Sequence, residues 1–142
     1  MDVAERVRGL VELTRPVNAI VAGVLTFIGA FVVVGVPAGG QLQPVGAAIG
    51  ATVLATGAGM AINDYFDREI DAINAPNRAI PRGAVSPRGA LAFSVVLFVA
   101  AIGLALTLPL FAIAIAVINL LALVSYTEVF KGLPGAGNVL VG

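Results

Sequence analysis

Cysteine, histidine and tryptophan are all absent from this 142-residue sequence, and charge is scarce: Asp, Glu, Lys and Arg make up only 11% of the chain. Without cysteine and histidine there is no disulfide, no thiolate nucleophile, no imidazole base, no haem ligation and none of the usual zinc sites. The net charge is zero and no basic, aromatic-interleaved stretch occurs, so nothing points to nucleic acid. Charge is also missing in blocks. None occurs over 16–63 or over 89–127, gaps of 48 and 39 residues.

Each gap is about twice the roughly 20 residues that a helix needs to cross a bilayer. Each has a breaking element near its middle: Val36-Pro37-Ala38-Gly39-Gly40-Gln41-Leu42-Gln43-Pro44 in the first, Thr107-Leu108-Pro109 in the second. The runs are continuously apolar rather than alternating, which argues against a barrel. The expected fold is an all-α polytopic membrane helix bundle, one domain over 1–142. An amphipathic segment spans 1–15, membrane helices lie near 16–36, 45–63, 89–107 and 110–127, and a fifth helix starts after Lys131. Residues 1–15 are too charged and the next span too long for a cleaved signal, so 16–36 reads as a retained helix. Gly46, Gly50, Gly57 and Gly59 would let the second helix pack closely against its neighbours.

All eight cations fall on one side of this topology. Arg6, Arg8 and Arg15 precede the first span, Arg68, Arg78, Arg82 and Arg88 lie between the second and third, and Lys131 follows the fourth. The two far-side turns carry none, which places the N-terminus and the central loop on the cytoplasmic side of the cell membrane.

At the end of the second span stands Asn63-Asp64-Tyr65-Phe66-Asp67-Arg68-Glu69-Ile70-Asp71. On a continuous helix Asp64, Asp67 and Asp71 fall within an arc of roughly 60°. Three like charges on one face repel unless a cation sits among them. Carboxylate oxygens suit Mg²⁺, which keeps waters and is commonly shared with substrate phosphates. Asn63, one turn before Asp67, could add a neutral oxygen or an amide donor. The alternative reading is a solvated helix end.

Pro76, Pro81, Gly83 and Pro87 punctuate the loop over 72–88, where helix is disfavoured. Arg78 and Arg82 share that loop with the acids, and Lys131 returns to the same side. These three read as phosphate partners, since a diphosphate needs direct cations as well as a metal. Arg6, Arg8, Arg68 and Arg88 read as topology signals or headgroup contacts. Pro16 suits a first helical turn, while Asn18, Tyr126, Thr127 and Asn138 are polar groups at the charged end that need partners. Asn119 and Ser125 read as interhelical hydrogen-bonding groups.

Asn63-Asp64-x-x-Asp67-x-x-x-Asp71 after an apolar helix resembles the first aspartate-rich motif of the UbiA-type intramembrane prenyltransferases. Thr14-Arg15-Pro16-x-Asn18 is similar to that family's opening of its first helix. The stretch from Ile73 to Gly83 is similar to its connector, and Tyr126-Thr127-x-x-x-Lys131 with Gly137-Asn138 to the approach to its fifth helix. The loop wording most resembles the archaeal branch that builds ether-lipid cores, although Arg78-Ala79 stands where that loop frequently has Arg-Pro. The resemblance implies Mg²⁺-dependent transfer of a geranylgeranyl group from geranylgeranyl diphosphate to geranylgeranylglyceryl phosphate. Asp64, Asp67 and Asp71 would hold the metal and act in catalysis. Asn18, Asn63, Arg78, Arg82, Tyr126, Lys131 and Asn138 would bind the diphosphate, with membrane lipids around the bundle.

The resemblance also implies about nine membrane helices and a second aspartate-rich motif. Here the only acid after Asp71 is Glu128, and the apolar stretch from Gly132 to Gly142 stops after 11 residues. The sequence therefore reads as the first part of such an enzyme, not expected to be active alone. Prenyl transfer to an aromatic or quinone-precursor acceptor is a second reading. A non-catalytic membrane scaffold or ion-binding fragment is a third. A CDP-alcohol phosphotransferase is a fourth, but the Asp-Gly and Ala-Arg pairs of that motif are missing.

Overall fold

The computed structural model describes residues 2–114 and 117–118, and every regular element among them is helical. Chain-breaking and capping residues set the boundaries. Helix α1 runs Val3–Leu13, and α2 runs Pro16–Val34 with proline in its first turn, where the missing N–H costs nothing. Gly35 closes α2 with a positive φ of 72° that a residue carrying a Cβ rarely adopts. After a 3₁₀ turn at Gly39–Gln41, α3 runs Leu42–Phe66 and the short α4 runs Arg68–Asn74. Helix α5 runs Pro87–Ala105, again with proline in the first turn, and its N-cap Ser86 accepts a hydrogen bond from the Gly89 N–H at 3.0 Å.

Helices α2, α3 and α5 are each long and apolar enough to cross a membrane. They match the first three expected spans to within a few residues. The fourth, at 110–127, and the start of a fifth lie largely outside the described residues; a second unit begins at Leu108 and is helical over 110–114. Val17, Ile20, Leu25, Val32 and other apolar side chains of α2 are exposed, a surface that suits lipid rather than water.

Packing of α3 against the junction between α1 and α2 and against α5 uses small residues. A Cβ on Gly57 would stand 3.2 Å from Thr14 Cβ, and one on Gly50 would stand 2.9 Å from Leu104 Cδ1. Gly46 and Gly59, expected in the same role, meet nothing within 4 Å. Polar contacts join the helices too. The buried Ser94 hydroxyl donates to the Ala58 carbonyl at 2.9 Å, the hydroxyls of Thr26 and Thr52 are 3.1 Å apart, and Gln43 Nε2 donates to Thr107 Oγ1 at 3.1 Å at the far end. Gly57→Leu is expected to destabilise the bundle by about 1–3 kcal/mol, the usual cost of overpacking, while Gly59→Leu is tolerated. Thermal unfolding in detergent followed by far-UV circular dichroism distinguishes the two.

The loop expected to be merely irregular is a packed cap. Ala79, Ile80, Ala84 and Val85 are buried with Leu13 of α1, Ala61 of α3 and Ala90 of α5. Backbone bonds from Arg78, Arg82, Gly83 and Val85 to carbonyls at 75, 78, 80 and 79 hold it without a helix. This apolar cluster lies at the end of the bundle where the charges gather, and it fixes the positions of the side chains considered next.

Candidate functional site

The acidic motif does not form one continuous helix. Asp67 lies between α3 and α4 with φ −84° and ψ 2°, outside helical geometry. The hydrogen bonds Asp67 N–H to Asn63 O at 2.9 Å and Asp71 N–H to Asp67 O at 2.8 Å continue across the bend. The three acids differ in exposure. Asp64 and Asp71 are buried, while Asp67 is exposed. Within the expected face, two carboxylates are thus buried and one is exposed.

Arg78 stands between the two buried ones. Its Nη1 lies 2.5 Å from Asp71 Oδ2 and 3.5 Å from Asp64 Oδ1. Arg15 Nη2 donates to the same Asp64 oxygen at 2.8 Å. Burial makes the guanidiniums necessary, because an unpaired carboxylate in this environment would be costly. The hydrogen bond to Asp71 outweighs desolvation and raises the Arg78 pKa above its ordinary value, with Asp64, Asp71 and Asp67 adding Coulombic support. The group is a cation at every accessible pH.

Arg15 carries the only positive φ of a non-glycine residue among the described residues, 46° with ψ 71°. The following Pro16 disfavours right-handed helical geometry there, and left-handed geometry costs about 1–2 kcal/mol. The strained turn brings the Arg15 guanidinium to Asp64 across 49 positions of sequence. Beside it, Glu12 is clamped by Arg82 Nη2 at 2.7 Å and Arg8 Nε at 3.0 Å, and Arg82 Nη1 also donates to the Asn77 carbonyl at 2.7 Å. The Arg82 hydrogen bond, with its charge and that of Arg8, holds the Glu12 carboxyl below its ordinary range despite some desolvation. Glu12 is thus ionised at neutral pH. Glu12, Arg15, Asp64, Asn77 and Arg78 line an open cavity of about 430 Å³.

Of the residues singled out from the sequence, Asp64, Asp71 and Arg78 come together, and Arg82 stands one contact away through Glu12. Asn18, Asn63 and Asp67 are exposed, and none makes a side-chain hydrogen bond or ion pair among the described residues. Arg68, the first residue of α4, turns back on the end of α3, donating to the Tyr65 carbonyl at 2.8 Å and lying over the Tyr65 ring. Tyr126, Thr127, Lys131 and Asn138 lie outside the described residues. Sequence reasoning missed Arg15 and Glu12 as site residues. For Arg15 the available signal was its place directly before a helix-opening proline.

No group of three carboxylates close enough to share one ion forms among the described residues. The donor set does fit a hard cation in another mode. Asp64 and Asp71 supply oxygen ligands across the position that one guanidinium now serves, and Mg²⁺ is commonly held by one or two carboxylates, waters and substrate phosphates. The exposed Asp67 makes no ion pair among the described residues.

Comparisons with known proteins bear on the whole arrangement. Residues 18–142 match the UbiA prenyltransferase family. Over 139 residues the chain is 70% identical to a digeranylgeranylglyceryl phosphate synthase of Natronomonas pharaonis, covering 96% of this chain and 48% of that protein. It is 67% identical over 134 residues to the protein of the same name from Halobacterium salinarum, covering 94% of this chain and 48% of that one. A solved structure described as giving structural and mechanistic insights into the biosynthesis of digeranylgeranylglyceryl phosphate synthase in membranes superposes with a TM-score of 0.83. The two are 31% identical, and the match covers 97% of this chain and 49% of that one. The chain spans about half the length of the curated relatives it matches.

Proposed function

This chain belongs to the UbiA prenyltransferase family, and from that premise we propose that it carries the first diphosphate-binding motif of a geranylgeranyl transferase of archaeal ether-lipid synthesis. The reaction moves the geranylgeranyl group from geranylgeranyl diphosphate to the sn-2 hydroxyl of geranylgeranylglyceryl phosphate. The observation that carries this reading is the pairing of two buried carboxylates, Asp64 and Asp71, through Arg78 at one end of an apolar bundle. The names of the similar proteins supply the substrate class.

The protein is a multi-pass membrane protein, and we place its α1 and aspartate-bearing end on the cytoplasmic side, since the cations collect there. Asp64, Asp67 and Asp71 would hold Mg²⁺, which when bound neutralises charge on the diphosphate leaving group. Arg78 and Arg15 already converge on one carboxylate oxygen, so phosphate oxygens entering the cavity meet two guanidiniums without further assembly. Arg82 orders the cap from outside through Glu12 and Asn77. Asn18, Asn63, Tyr126, Lys131 and Asn138 are assigned to the diphosphate as well, on the family motifs they match. The apolar helices exclude water from the allylic group and leave a route to lipid for two hydrophobic substrates.

The test is prenyl transfer by the purified protein in lipid vesicles, with Mg²⁺ and with EDTA. Magnesium-dependent appearance of the doubly prenylated product supports the reading. Product formed equally in EDTA removes the metal from it, and preference for an aromatic acceptor moves the assignment to another branch of the family. Absence of both transfer and magnesium-dependent diphosphate binding overturns it.

A further inference from the structure

We propose that the groove between α1 and the start of α5 holds one anionic phospholipid of the surrounding bilayer, with its phosphate at Arg6 and its first methylenes on Leu10, Ile80 and Phe93. The groove is about 630 Å³ in volume and is lined by these four residues and Val85, with the α5 N-cap at one side. Arg6 and Arg88 are exposed and make no ion pair among the described residues, unlike Arg8, Arg15, Arg68, Arg78 and Arg82, and of the two only Arg6 lines the groove. Apart from the Ser86 hydroxyl, the side chains of the remaining wall are apolar, which fits a headgroup over a hydrocarbon chain and fits a free anion poorly.

The position of the groove relative to the membrane follows from the chain. Only Thr14 and Arg15 separate α1 from the span α2, a tether of about 7 Å at full extension, so α1 stays at the membrane surface. Phe93 lies six residues into α5, about 9 Å along its axis, and exposed Val96 and Val99 continue the apolar surface deeper. Val3, Val7 and Val11 form a further exposed stripe on α1 at four-residue spacing. The polar side of α1, with Arg8 and Glu12, faces Arg82 instead. The groove therefore joins a lone cation at the surface to apolar surface continuous with a membrane span. This inference rests on the membrane topology and is independent of prenyl transfer.

The sequence contains no tryptophan, so Phe93→Trp gives a single reporter in the groove. The whole chain carrying it is reconstituted in phosphatidylcholine vesicles with a minor fraction of phosphatidylglycerol, one or other lipid being brominated. Per mole of lipid, brominated phosphatidylglycerol is expected to quench about fivefold more strongly, the preference typical of one basic residue at an anionic surface. Arg6→Gln removes the preference and Arg6→Lys restores it, while Arg88→Gln leaves it in place. Equal quenching by both lipids, or a preference that survives Arg6→Gln, overturns the proposal. So does quenching by neither, which would mean that protein covers the groove. Native mass spectrometry of the chain with Phe93 intact is a second measurement. Retained phosphatidylglycerol that Arg6→Gln abolishes supports the site, and retention indifferent to Arg6 overturns it.

Discussion

Asp64→Asn, made in a protein of the relatives' full length, is expected to lower prenyl transfer by about a thousandfold, the upper range for removing one preorganised electrostatic group from a reacting centre. The substitution keeps volume and shape and removes one charge, so the helical bundle remains. Its effect is large because Asp64 Oδ1 is where Arg15, at 2.8 Å, and Arg78, at 3.5 Å, converge. Losing the charge weakens the hold on both guanidiniums and deletes a proposed magnesium ligand at once. Transfer rates measured across a magnesium titration check this, with far-UV circular dichroism as the folding control. A variant that keeps near-normal turnover would show that Asp64 is a structural anion only.

The second large effect is that of Arg78→Ala, which acts in opposite directions on two ligands. Arg78 is the cation paired with Asp71, so its removal leaves a buried carboxylate alone. Breaking a buried pair typically costs 3–5 kcal/mol; with the Arg78 side chain 39% exposed, solvent screening reduces the expected loss to about 2 kcal/mol. Diphosphate affinity falls by about 10- to 100-fold, as expected for one lost charge-assisted hydrogen bond. Magnesium affinity in the absence of diphosphate rises, because the guanidinium no longer competes for Asp64 and Asp71. Isothermal titration with each ligand separately, on protein in detergent, reads both signs. Parallel losses for both ligands would mean that the variant has merely unfolded the cap.

Much of this arrangement was legible in the residues. The two charge-free gaps located α2, α3 and α5 because lipid imposes a length and a polarity that few sequences meet by accident. Pro16 marked a helix start for a local reason, the absent N–H, whereas Pro87, read as a loop breaker, opens α5 for that same reason. Arg78 was legible from sharing a short loop with the acids. What was hidden depended on longer contacts. The break between α3 and α4 lies in the backbone angles of Asp67, and a spacing rule built on one continuous helix cannot express it. The cap over 75–85 reads as irregular by its prolines, yet Ala79, Ile80, Ala84 and Val85 gain burial from three separate helices. Arg15 reached the site through a left-handed turn, and Glu12 through a partner 70 positions away. Gly46 and Gly59 mark the converse, since small residues permit close packing but meet a neighbour only where the helix faces one.

The central claim is that the buried Asp64–Asp71 pair and its arginines form a metal-dependent diphosphate site. Equilibrium binding of geranylgeranyl diphosphate to the protein in vesicles, with Mg²⁺ and with EDTA, tests it most directly when wild type is compared with Asp64→Asn. Saturable binding that requires Mg²⁺ and is lost in Asp64→Asn is the predicted result. Binding of equal strength in EDTA, or unchanged by Asp64→Asn, would contradict it.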